Sequence, residues 1–197
     1  MSTTAGAHDR ESMTDFCTYG EFGLAFFQRA VTAERISGGV SGLVGQPVEF
    51  GPIGAGPGRI ATVSAAGEVG SPTVTRVSAG EPLRFLLRVP VDLRLTVSLP
   101  ATVNRFRAAM MIELTLTARA AEPLRVVIDI QPPTRDDITV DLRADGMRAT
   151  VLRLVAGIDG EIRRFVARYV DKEIGKPAVQ RARDIDLGAI IDRSSHT

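Results

Sequence analysis

From Leu83 to Leu99 every odd-numbered residue is apolar: Leu83, Phe85, Leu87, Val89, Val91, Leu93, Leu95, Val97 and Leu99. Most even positions are polar, among them Arg84, Arg88, Asp92, Arg94, Thr96 and Ser98. A period of two sends alternate side chains to opposite faces, so the run specifies a β-strand with one buried face. At about 3.3 Å per residue it reaches roughly 55 Å, far beyond an ordinary strand, and a strand of that length has to curve. Pro90 interrupts it. A two-residue hairpin there would pair 89 with 92, whereas 89 and 91 share apolar character as one strand requires. A three-residue loop would keep the parity, so a split stays open. The favoured reading is one bent strand with Pro90 at a bend or bulge.

The apolar parity then switches to even numbers: Phe106, Ala108, Met110, Ile112, Leu114 and Leu116. A four-residue loop over Pro100 to Val103 makes this switch while keeping all apolar side chains on one face. Leu124, Val126, Ile128 and Ile130 stay even, which fits a three-residue loop near Arg119 to Ala121. Ile138, Val140 and Leu142 follow Pro132-Pro133-Thr134-Arg135. The four runs predict an antiparallel meander with one shared buried face, each buried side chain contributing roughly 2 kcal/mol before entropy.

The flanks read differently. Phe16, Leu24, Phe27 and Val31 fall near one face, with Phe26 beside them, and predict a helix over Phe16–Ala33. Arg35–Val44 reads as a short helix weakened by Gly38, Gly39 and Gly42. Gln46–Val77 reads as strands with glycine-rich turns, marked by Val48 and Phe50, Arg59 to Val63, Val69 and Val74. Asp145-Gly146 ends the sheet. Met147, Val151, Leu154, Val155, Ile158, Ile162, Phe165, Val166, Tyr169, Val170 and Ile174 form the i, i+3, i+4 stripe of a helix over Met147–Ile174. Gly157 and Gly160 allow a bend or close approach in it, and Gly175 and Pro177 stop it. A last segment, Ile185–Ile191, returns along the domain. The predicted fold is α+β: a long, highly curved antiparallel sheet wrapped on a long C-terminal helix, with an N-terminal helix. Residues 15–192 form one domain between a disordered tail, 1–14, and a short tail, 193–197.

Chemistry is sparse. The chain has 197 residues and a formal net charge of +1, without the concentrated basic excess of a nucleic-acid binder. Cys17 is the only cysteine, which rules out an intramolecular disulfide. No signal-like or membrane-spanning apolar segment stands out, and cytoplasmic residence is the default expectation. His8 and His196 sit in the tails, where a catalytic base or metal ligand would lack a fixed position. Gly54-Ala55-Gly56-Pro57-Gly58 links strand to strand and is not followed by Lys-Ser or Lys-Thr, so it reads as a turn rather than a phosphate loop. Asp136-Asp137 and Asp184/Asp186 read as solvated turn carboxylates, and Asp159 and Glu161 as ion-pair partners of Arg163 and Arg164. No catalytic constellation, metal site or cofactor is expected. Arg84, Arg88, Arg94, Arg105, Arg107, Arg125 and Arg143 lie opposite the apolar face, mixed with Asp92, Glu113, Asp129 and Asp141. They read as a solvated outer face, with a patch for anionic headgroups as the alternative.

The helix near Phe16–Ala33, the strands Leu83–Leu99 and Phe106–Leu116, the helix Met147–Ile174 and the segment Arg183-Asp184-Ile185-Asp186-Leu187 together resemble the tubular lipid-binding (TULIP) superfamily, with its bactericidal/permeability-increasing-like and synaptotagmin-like modules. The resemblance covers roughly residues 16–191 and rests on architecture. It implies a highly curved sheet around the long helix, with an elongated apolar cavity for acyl chains. The first functional reading is binding or transfer of a lipid or other hydrophobic small molecule, and peripheral membrane contact stays open as a partner class. No family functional residue carries over singly.

The candidate cavity lining is Phe27, Phe85, Leu87, Leu93, Leu95, Met110, Ile112, Leu114, Ile158, Ile162 and Phe165. Two other readings stand beside it. A helix-grip domain of the START or polyketide-cyclase type shares a sheet around a C-terminal helix and includes enzymes, but usually begins with a strand. A structural or interaction module with a filled core needs the same apolar pattern as a cavity. Oligomeric state is open at this level.

Overall fold

A computed structural model describes residues 15–55, 57–78, 80–143 and 149–194, with the side chains of 57, 143 and 149–157 outside the description. The tails 1–14 and 195–197, His8 and His196, Gly56, the Asp145-Gly146 end of the sheet and the helix start at Met147 lie outside the described residues.

The chain divides into two compact units, Met1–Ala30 and Val31–Thr197. The first contains helix α1, Tyr19–Ala30. Thr18 and Glu21 close a reciprocal cap at its start: Glu21 N donates to Thr18 Oγ1 at 3.2 Å, and Thr18 N donates to Glu21 Oε2 at 2.8 Å. Those hydrogen bonds, the backbone one first, hold the Glu21 carboxyl below its ordinary value. The expected single helix over Phe16–Ala33 stops at Ala30, because Thr32 is extended and its side chain caps a new helix, α2, Ala33–Val40.

The second unit is α+β, with a strongly curled antiparallel sheet and several helices. Its spine is the hairpin of β4, Leu83–Ser98, and β5, Val103–Ala121. β4 runs unbroken through Pro90, and its register against β5 never slips, from Leu83↔Ala118 to Ser98↔Val103. The connecting turn is Leu99–Thr102, closed by Leu99 N donating to Thr102 O at 2.7 Å. Odd residues of β4 therefore face the same side as even residues of β5, and the odd set is buried along with Phe106 to Ala118 of the even set. Pro90 is tolerated for a topological reason. Its carbonyl accepts from Gly70 N at 2.8 Å, so its nitrogen faces the same edge. On that edge β2, Ala61–Val69, ends opposite Val91, and β3, Thr73–Arg76, starts opposite Arg88. The missing donor falls in the gap between two partners, where no ladder bond is lost.

The other edge is built likewise, which corrects the expected simple meander. β6, Arg125–Ile130, and β7, Ile138–Arg143, do not pair with each other; both pair with β5, one along 116–121 and the other along 107–112. At 19 residues β5 outlasts either partner. The partner sums are 246 for Leu116↔Ile130 and 250 for Ile112↔Ile138, so the link between β6 and β7 inserts four residues. An even insertion keeps both on the same facing. The β5–β6 turn falls at Glu122–Leu124, three residues beyond its expected place, with the predicted length and parity. Leu124 is exposed.

β1, Pro47–Ala55, pairs with β2 across a register shift between Phe50 and Ile53, where Gly51 adopts φ 106°. Helix α3, Ala149–Ile174, buries Ile158, Ile162 and Val166, one i, i+4, i+8 stripe. A Cβ on Gly160 would meet nothing within 4 Å, so no close approach explains that glycine. After α4, Pro177–Ala182, the chain returns as β8, Asp184–Asp186, pairing with β6, and ends in α5, Leu187–Ser194.

Candidate functional site

The apolar face of the curled sheet is continuous along β4 and β5. Phe85, Leu87, Leu93, Leu95, Met110, Ile112 and Leu114 are all buried on it, and Ile158 and Ile162 of α3 are buried as well. Register brings them together in pairs: Phe85 faces Leu116, Leu87 faces Leu114, Val89 faces Ile112, Val91 faces Met110 and Leu95 faces Phe106. Ile112 also faces Ile138 of β7. Among the described residues no polar or charged side chain is buried. Such a face offers dispersion and the hydrophobic effect and no hydrogen bond, which suits hydrocarbon and nothing that needs polar recognition.

Met110 and Phe165 meet at a half-open crevice lined also by Val48, Glu49, Phe50, Val166 and Tyr169. Phe50 and Phe165 close its floor, ring centroids 5.2 Å apart at 31°. The crevice holds about 10 Å³ of free space, room for about one water. Phe27 belongs to α1, in the other unit, and is half-buried. Phe50 and Val48 were absent from the expected lining. Their alternation marked a strand, but nothing local tied that strand to α3. Val166 and Tyr169 belong to the apolar stripe of the helix, which by itself does not distinguish core from crevice.

Charged groups take structural roles. Asp184 and Arg125 form an ion pair tying β8 to β6, with Arg125 Nε donating to Asp184 Oδ1 at 2.9 Å. Asp186 Oδ1 accepts from Ala189 N at 2.9 Å and caps α5. Asp137 Oδ2 accepts from Thr134 N at 2.7 Å in a short 3-10 turn before β7. Asp159 pairs with Arg163 at 2.7 Å and Glu161 with Arg164 at 2.8 Å along α3. Arg88 and Glu113, opposite in register, pair at 2.7 Å. Cys17 is exposed and free. Among the described residues no cluster of His, Cys, Asp or Glu could hold a metal ion. None of their helices is long and apolar enough to cross a membrane.

No protein-family model matches the chain, and no curated protein matches it.

Proposed function

We propose that the protein binds an elongated apolar ligand, a lipid acyl chain or a molecule like it, between the apolar face of the curled sheet and α3, around which the sheet wraps in the manner of tubular lipid-binding domains. The observation that carries this reading is the buried apolar face of β4 and β5, which runs from Leu83 and Ala118 to Leu95 and Phe106 without a polar side chain and reaches Asn104, opposite Val97, at its end. Ligand sites of this kind commonly enclose about 300–1,000 Å³. The crevice at Phe50 and Phe165, at about 10 Å³, is therefore the closed state, and a ligand enters by displacing α3 outward from β1. Such a shift exchanges side-chain contacts for acyl-chain contacts of the same apolar kind.

Peripheral membrane contact is the delivery side of the same reading. Tyr19, Phe22, Leu24 and Phe26 of α1 are exposed, and Phe16 precedes them. Aromatic side chains favour the membrane–water boundary. A structural module with a filled core is the second reading, favoured by how little space the crevice holds.

Native mass spectrometry with lipid extraction, on full-length protein purified without detergent, separates the two. The expected result is a co-purifying lipid or other apolar molecule at a defined stoichiometry. Repeated preparations with none, and no uptake when lipid is added, would leave the filled-core module standing.

A further inference from the structure

The opposite, polar face of the same sheet carries a groove of about 730 Å³ over β1, β2, β4 and β5, a volume typical of small-ligand sites. Small residues on this face make room for it: Ala66 and Ala109 line it beside larger charged neighbours. Arg94 and Arg107 line one end and stand directly opposite each other in register. Glu68 and Asp92, also opposite each other, line the other end, while Glu49 lies in the arginine row, across Ala66 from Arg94. The two pairs are one same-face step apart, about 7 Å along β4.

Like charges placed directly across a ladder repel and weaken it. Here two such pairs, of opposite sign, share one groove. All five side chains are exposed, and none makes an ion pair or hydrogen bond with a described residue. Arg88 and Glu113, on the same face of the same two strands, do pair. An anion between the arginines and a cation between the carboxylates would relieve both repulsions together. Two guanidinium forks suit the several oxygens of a phosphate. At the carboxylate end no aromatic residue lines the groove among the described residues. Quaternary ammonium groups are recognised by aromatic cages, whereas a primary ammonium donates hydrogen bonds to carboxylates.

We propose that this groove binds a zwitterion carrying a phosphate and a primary ammonium separated by a short linker, the chemistry of a phosphoethanolamine group. The phosphate lies on Arg94 and Arg107, and the ammonium on Asp92 and Glu68. The proposal is independent of an acyl-chain site, since it uses the other face of the sheet.

Amide chemical-shift titration of the full-length, nitrogen-15-labelled protein tests it, with O-phosphoethanolamine, phosphocholine, inorganic phosphate, ethanolamine and a short-chain phosphatidylethanolamine kept below micelle formation. O-Phosphoethanolamine is expected to shift amides of 66–68, 92–94 and 107–109. It should bind about tenfold more tightly than phosphate, ethanolamine or phosphocholine. Arg94→Gln combined with Arg107→Gln is expected to weaken both phosphate and O-phosphoethanolamine by about tenfold or more. Asp92→Asn should erase the advantage over phosphate and leave phosphate binding intact. These side chains are exposed, and unchanged spectra without ligand verify that the variants fold. Shifts with the free compound identify a soluble phosphoamine as sufficient; shifts with the short-chain lipid alone identify a lipid headgroup; both support the site. No shift at these amides with either compound up to millimolar concentration overturns it, as does equal binding by the arginine double variant or by phosphocholine.

Discussion

Gly67→Ala probes the close approach of β2 to β4. Gly67 of β2 pairs with Leu93 of β4. A Cβ there would stand 1.9 Å from Asp92 O, 2.9 Å from Asp92 C and 3.0 Å from Leu93 Cα. Ordinary contact begins at 3.4 Å, so the methyl group would stand far inside contact distance of Asp92 O. The obstructing atoms are backbone, and β4 is held on its far side by β5 through an uninterrupted register, so β4 cannot yield locally. Gly67 has no left-handed φ. Without the clash, alanine in a strand would therefore stabilise by about 0.5–1 kcal/mol. With it, overpacking of this kind costs about 1–3 kcal/mol. The sign of the change is the test. Urea and thermal melts followed by circular dichroism should show Gly67→Ala less stable, with Tm lower by about 2–4 °C for each kcal/mol in a chain of this size. Gly160→Ala is the internal control. Its Cβ meets nothing within 4 Å in α3, and it should raise stability by about 0.8–1 kcal/mol. A Gly67→Ala protein as stable as the parent, or more so, would refute the close approach of β2 to β4.

Two further outcomes follow from burial. Ile162 is 0% exposed, so Ile162→Ala should cost about 2–5 kcal/mol and Ile162→Val about 0.5–1.5, read from urea midpoints at unchanged m-value. Equal midpoints for all three would show that α3 does not rest its stripe on the core. In a vesicle flotation assay the parent should float with lipid, and Phe22→Ser combined with Phe26→Ser, which removes two exposed rings stacked 6.3 Å apart, should abolish flotation. Unaltered flotation would remove α1 from the membrane reading.

Much of the sheet was legible because alternation is a local code. The parity of Leu83–Leu99 indicated a strand through Pro90, and the parity switch indicated a four-residue turn before the next strand; both hold. The region between β2 and β3 was less clear for an equally local cause. Their partner sums against β4 are 160 for Thr62↔Ser98 and 161 for Thr73↔Arg88, a shift of one residue. A one-residue shift reverses facing, so the odd-position burial of β2 does not continue into β3. At the candidate site, Met110 and Phe165 were readable as apolar stripe positions, whereas the Phe50 ring that completes the crevice was not.

What this sequence determined alone is facing: which residues of each strand and helix point inward, because side-chain direction repeats with the backbone every two or 3.6 residues. What only tertiary structure decided is adjacency. β6 and β7 look equivalent as successive even-parity runs, yet both lie along β5 because it is long enough to hold two partners. Likewise Arg94 and Arg107 are two unremarkable outward arginines until register sets them opposite one another, beside Asp92 and Glu68, over a floor of small residues. Periodicity carries no information on pairing between distant segments; that is set by chain length, turn geometry and the burial of the whole face at once.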